Sequence, residues 1–227
     1  PALLPQSPAA EQVAGALRVI DWARGGWEHS RWVDARASQT AVVGHSYGAL
    51  LAARVAAARA DISAYVGLSG PWAELGDRVA LLGSLGAPAF FMWATGDPLK
   101  RAFEDLDDMR AWAGVPRPKH AAVFPGEHFD YISPWPGCAF SRGGCTLVEA
   151  VAADLTALFL ARHVKVGTSN PRIPVDLRPP AVTLTDRQHF FAGAHLAGLE
   201  AFRTRAGCSM RLRWETDEGS GARDLGP

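Results

Sequence analysis

The sequence predicts an α/β protein built on a parallel sheet, and two observations carry that prediction. Between residues 40 and 163, short runs of β-branched and apolar residues alternate with segments whose apolar residues recur at helical spacing. One of those runs, Pro88 to Ala94, is apolar without interruption and bounded by turn residues, as a parallel strand buried on both faces requires. The bulk composition is consistent with one domain and a sizeable core: 227 residues, 48% hydrophobic and 20% charged. Lys+Arg and Asp+Glu balance at 23 each, which gives no electrostatic case for nucleic acid or an anionic membrane as partner. No apolar run approaches the roughly 18 residues that span a bilayer. The start, Pro1-Ala2-Leu3-Leu4-Pro5, has neither the basic region nor the long apolar segment of a signal peptide. The chain does not begin with methionine, so its localisation is not fixed by the sequence.

In order, residues 1–10 read as a Pro-rich lead-in. A helix is expected from Glu11 to about Arg24, with Val13, Leu17, Ile20 and Ala23 on one side and Gly25-Gly26 as its stop. A tryptophan-bearing loop leads to a strand, Thr40 to Val43, and an alanine-rich helix, Tyr47 to Arg59, that can lie close on a sheet. Further strands are expected at Ile62 to Leu68, Pro88 to Ala94 and, last of the sheet, His120 to Phe124. A short helix within Trp72 to Gly86 is expected over the face that bears the site. Helices are also expected at Leu99 to Ala113, whose acidic stretch reads as a solvated face, and at Thr146 to His163. Together, residues 1–165 form the main domain. Residues 166–184 are a Pro-rich linker, 185–214 a helix-plus-strand extension, and 215–227 a disordered tail.

The chemistry centres on Gly44-His45-Ser46-Tyr47-Gly48. Strand, G-x-S-x-G, helix is the context in which this pentapeptide places a serine on a strained turn, with glycine expected at both ends to avoid collisions. Two more polar residues follow strand ends in a parallel sheet, where functional groups gather. Asp97 closes the strand ending at Ala94, and His128 lies just past the strand ending at Phe124. Asp97 also fits a plain Gly-Asp-Pro turn, and Asp130 is a rival acid. His120 is a rival histidine, but it begins a strand at the wrong end of the sheet. Ser69 is a weaker nucleophile candidate, since no turn glycine precedes it. His45 fills a variable place in the turn and packs or hydrogen-bonds there, and Glu127 reads as a surface neighbour.

With Ser46, Asp97 and His128 in that chain order, the chain resembles the α/β-hydrolase superfamily. Gly44 to Gly48 match its nucleophile turn (the nucleophile elbow), Gly96-Asp97 its acid, and Gly126-Glu127-His128 its terminal histidine. Within that group it looks most like compact, small-lid esterases related to the dienelactone-hydrolase, chlorophyllase-like and polyester-hydrolase branches. The resemblance implies a serine esterase with no cofactor and no metal, acting on a small-molecule ester. Ser46 would be the nucleophile, His128 the base and Asp97 its orienting acid, with the Tyr47 backbone N–H as one oxyanion donor. Trp72 and Trp135 either line an acyl or aromatic pocket or serve as core and rim aromatics.

The resemblance covers about residues 11–165, the carboxyl-terminal part of that fold. Its amino-terminal strands and the loop carrying a second oxyanion N–H have no counterpart before Thr40. Three explanations stand: a fragment, which is favoured, an oligomer that completes the sheet through its exposed edge, or an unusual minimal hydrolase. The alternative function is a truncated or degenerate, non-catalytic hydrolase-like protein serving in binding or assembly. Cys138 and Cys145 bracket a Gly-rich loop short enough to close as a disulfide, and two plain thiols remain the other reading; Cys208 is left over. The cysteine spacing does not suit zinc.

Overall fold

The structure, a computed structural model, describes residues 9–33, 40–71, 77–94, 96–97, 111–124, 126–131, 149, 152–153, 155–157, 159–160, 163–164, 210–216 and 219–225. Helix α1 (Ala9–Asp21) continues into a π-helical turn, Trp22–Gly26, which ends where Trp27 becomes extended and its N–H bonds the Trp22 carbonyl. There follow β1 (Thr40–His45), α2 (Tyr47–Ala58), β2 (Ile62–Leu68), α3 (Arg78–Gly83), β3 (Ala89–Ala94) and β4 (Lys119–Phe124). These elements match the expected strands and helices to within a few residues, and the chain is of the α/β class. Helical backbone also occurs at 111–114 and at the described positions between 149 and 163.

The sheet order is β1-β2-β3-β4-β5-β6, with β1 to β4 parallel. Alternate side chains of the middle strands enter separate cores on the two faces, as the period of two demands. Val66, Phe90, Met92 and Ala122 pack with Ala152, Leu155 and Phe159 on one side. On the other, Tyr65, Phe91 and Ala121 pack against α2 and α3, which supply Ala49, Ala53, Leu81 and Leu82. The small residues of α2 let it approach the strands, and α3 sits beside it in the same layer. Burying one large side chain such as Phe159 contributes about 1.5–3 kcal/mol.

The carboxyl-terminal part corrects two expectations. β4 is not the last strand of the sheet: β5 (Met210–Thr216), which falls on the strand expected at the end of the 185–214 extension, pairs antiparallel with it, and β6 (Gly219–Leu225) pairs antiparallel with β5. Residues 215–227, expected as a disordered tail, therefore contain a strand. Gly219-Ser220-Gly221-Ala222-Arg223-Asp224-Leu225 has little strand propensity of its own, and it is the hydrogen-bonding edge of β5 that recruits it. The linker at 166–184 and the helix expected from Thr185 lie outside the described residues. The added hairpin extends the β4 side of the sheet, so β1 forms the opposite edge among the described residues, with Val43 exposed.

A buried polar cluster fastens that hairpin. Lys119, only 2% exposed, donates to the Trp112 carbonyl at 2.5 Å and pairs with Glu215 at 3.3 Å. Glu215 also accepts from the Trp112 indole N–H at 2.7 Å and from Arg213 at 3.2 Å. Burial pushes the Lys119 ammonium below its usual range, while the facing Glu215 carboxylate opposes that shift. A second ion network holds α1 to the sheet: Arg59 bonds Asp21 at 2.6 Å and Asp61 at 2.6 and 2.8 Å, while Arg24 bonds Asp61 and Thr40. No described helix is long and apolar enough to cross a membrane.

Candidate active site

Ser46 stands between the end of β1 and the start of α2 with φ 54° and ψ −128°, a conformation that side-chain-bearing residues rarely adopt. Backbone bonds hold the turn there. Its N–H donates to the Leu68 carbonyl at 2.8 Å, and its carbonyl accepts from the Ala49 N–H at 2.9 Å. The buried Tyr65 hydroxyl donates to the Ala49 carbonyl at 3.1 Å, tying β2 to the first turn of α2. The turn is also so tight that a Cβ on Gly44 would lie 2.1 Å from the Gly48 carbonyl oxygen. Gly48 differs from the expectation for the motif. A Cβ there would meet nothing within 4 Å, so only the first glycine is sterically required.

The Ser46 hydroxyl is not used as a helix cap. It lies 2.8 Å from His128 Nε2, and His128 Nδ1 lies 2.8 Å from Asp97 Oδ2. Asp97 and His128 are buried, at 3% and 7% exposed. A buried carboxylate can only accept, so Nδ1 carries the ring proton, and Nε2 is left to accept from the Ser46 O–H. The loops that bring the acid and the histidine together meet at two glycines. Gly96 N–H donates to the Gly126 carbonyl at 2.8 Å, and a Cβ on Gly96 would lie 2.6 Å from that oxygen.

The other candidates fall elsewhere. Asp130, buried at 2% exposed, does not meet the imidazole in the way Asp97 does. It accepts from the Glu127 N–H at 2.9 Å while its own N–H donates to the Glu127 carbonyl at 3.2 Å, a reciprocal pair that shapes the turn carrying His128. His120 is in the core, edge-on to Phe90 and Phe159. Ser69 follows the end of β2, with φ 44° and its N–H on the Met92 carbonyl. Tyr47 has its N–H at the start of α2, where helix N–H groups have no intrahelical partner. Its side chain is exposed, as is that of Phe129 beside His128. Trp72, Trp135, Cys138 and Cys145 lie outside the described residues, so neither the pocket nor the disulfide is placed. Among the described residues there is no group of three or more His, Cys, Asp or Glu side chains able to hold a metal ion.

His45 packs and hydrogen-bonds, as expected, but sequence reasoning did not find its partner, which lies outside the turn. His45, inside the motif, lies with Nε2 2.7 Å from the backbone carbonyl of His128, and the two rings are 4.9 Å apart. Burial pushes the His45 imidazole below its usual range, with the His128 carbonyl and Asp97 opposing and His128 itself adding to the shift. No sequence signal marks this bond, because the two residues are brought together only by the sheet.

No family model matches the chain, and no curated protein is significantly similar to it in sequence. Among solved structures, the chain is similar to a protein of unknown function from Agrobacterium tumefaciens, described as a candidate alpha/beta hydrolase, with a TM-score of 0.51 and 13% identity. The match covers 72% of this chain and 66% of that one, so about a third of the neighbour's length has no counterpart in it. At that identity the likeness concerns the fold alone: the chain shares with that neighbour an α/β arrangement of sheet and helices.

Proposed function

We propose that the chain is a serine hydrolase that cleaves carboxylic esters through an acyl-enzyme. The observation that carries this reading is the continuous hydrogen-bonded chain from Ser46 Oγ through His128 to the buried Asp97. Ser46 Oγ attacks the ester carbonyl carbon while its proton passes to His128 Nε2. The imidazolium so formed is held by Asp97, whose carboxylate stays ionised and keeps the ring in the required tautomer. Charge on the carbonyl oxygen is met by the Tyr47 N–H at the positive end of α2. Collapse breaks the bond to the alkoxy oxygen, which leaves as the alcohol after taking the proton from His128. Water then gives a proton to His128, attacks the acyl carbon, and releases the carboxylic acid as Ser46 recovers its proton.

The test is labelling with a fluorophosphonate probe, together with turnover of p-nitrophenyl acetate. Ser46 should be labelled, and Ser46→Ala should lose both labelling and all but a small residue of turnover, a fall of about 10⁴-fold or more. A folded wild-type chain that takes up no label and turns over no ester would instead favour a non-catalytic protein of the same fold, serving in binding or assembly.

A further inference from the structure

We propose that His45 is a positioning residue for His128, a role that rests on the hydrolase reading above. A carbonyl oxygen can only accept, so the 2.7 Å contact requires the proton of His45 on Nε2, donated to the backbone of His128. His128 is then fixed at two places: its ring by Asp97 through Nδ1, and its main chain by His45. The second anchor matters because His128 sits on a turn, not on a strand, and a turn is the softer support. His45 is also the residue immediately before Ser46. The same strand end therefore carries the nucleophile and grips the backbone of the base, which ties the Oγ–Nε2 separation to one rigid element.

The surroundings of His45 suit this task. Its ring packs against His128, Phe129 at 6.0 Å and Tyr131 at 6.0 Å, so it has little freedom to turn away. The ionisable groups around it are His128, Asp97 and Tyr131, and burial disfavours a second cation beside the ring on which the catalytic imidazolium forms. A neutral donor is what the step requires.

Two substitutions separate donation from packing. His45→Phe keeps an aromatic ring but donates nothing; His45→Gln offers a neutral side-chain N–H. In the full chain, His45→Phe should lower kcat on p-nitrophenyl acetate by about 10- to 100-fold, the scale of a misplacement near 1 Å. KM should stay within about twofold, because the bond acts on the base and not on substrate. His45→Gln should bring kcat back to within about threefold of wild type. The low-field proton resonance of the His128 Nδ1–H, followed by NMR, should persist in His45→Gln and broaden or vanish in His45→Phe. Wild-type kcat in His45→Phe, or a His45→Gln variant as slow as His45→Phe, would overturn the proposal. So would an unaltered Nδ1–H resonance in His45→Phe. Failure of the underlying reading looks different: the wild-type chain would show no fluorophosphonate labelling even where the resonance distinguishes the two variants.

Discussion

The two glycines of the serine turn should respond to alanine with opposite signs. On Gly44 the new Cβ would lie 2.1 Å from the Gly48 oxygen, 2.4 Å from the Gly48 carbonyl carbon and 2.7 Å from the Ala49 nitrogen. Carbon–oxygen contacts normally begin at about 3.3 Å, so the overlap exceeds about 1 Å. Every atom in the way is backbone, held by the Ser46 and Ala49 hydrogen bonds, and cannot swing aside as a side chain would. Overpacking of this kind costs about 1–3 kcal/mol and more where backbone must move, so Gly44→Ala should lose about 3 kcal/mol. For a chain of this size that is a fall in Tm of about 6–12 °C. Gly48 is the second residue of α2, with open space where its Cβ would stand. Removing a helical glycine there should gain about 0.5–1 kcal/mol and raise Tm by about 1–4 °C. Reversible urea and thermal unfolding followed by circular dichroism measure both. A Gly44→Ala variant as stable as wild type, or a Gly48→Ala variant less stable by more than about 1 kcal/mol, would refute the steric account of the turn.

Asp97→Asn should leave the fold intact and lower kcat by about 10⁴-fold, because the amide favours the wrong imidazole tautomer; steady-state kinetics and an unchanged circular dichroism spectrum check this. Asp130→Ala should do the reverse in kind, since it deprives the Glu127 N–H of its acceptor: a stability loss of about 1.5–3 kcal/mol with a smaller fall in kcat than Asp97→Asn. Acid should destabilise the chain through Asp61, held well below the usual carboxylate range by its hydrogen bonds to Arg59. Glu215 adds to this, since its bonds to Trp112, Lys119 and Arg213 outweigh a burial penalty that acts the other way. Both folded values lie below the unfolded ones, so this stabilisation is complete above about pH 4.5 and is lost as pH falls toward the folded values, which urea midpoints at pH 3–5 would reveal. His45 adds a slope at higher pH. Its folded value lies below the usual 6.5, so the unfolded chain binds the proton first and stability falls as pH drops below about 6.5; His45→Gln should flatten that part of the urea-midpoint profile.

Much of the architecture was legible because it depends on local pattern. The run Ala89-Phe90-Phe91-Met92 is buried on both faces, as an uninterrupted apolar stretch requires. Ser46, Asp97 and His128 could be brought together in thought because a parallel sheet delivers all its strand ends to one side, and the distances between them agree with that reasoning. What escaped was whatever depends on a partner distant in sequence. β6 takes its conformation from β5 and not from its own Gly-rich residues. The role of Asp130 follows from a turn whose geometry no periodicity describes, and the His45 bond from the meeting of the β1 strand end with the turn that carries His128. The second glycine of the motif was over-read: its identity in the pattern carries no steric demand in this turn.

The hairpin also has a consequence for the order in which the molecule assembles. Strands β1 to β4 follow one another closely in the chain and lie side by side in that order, so their pairings close modest lengths of polypeptide. The pairing of β4 with β5 must instead join residues 119–123 to residues 211–215, and both chain-closure entropy and folding time rise with such separation. Lys119 lies on this seam. Its ammonium meets the Glu215 carboxylate only when β5 arrives, so neutralising a buried charge and docking the hairpin are one event. The β4–β5 pairing is thus the one in this sheet that joins the stretches of chain farthest apart in sequence.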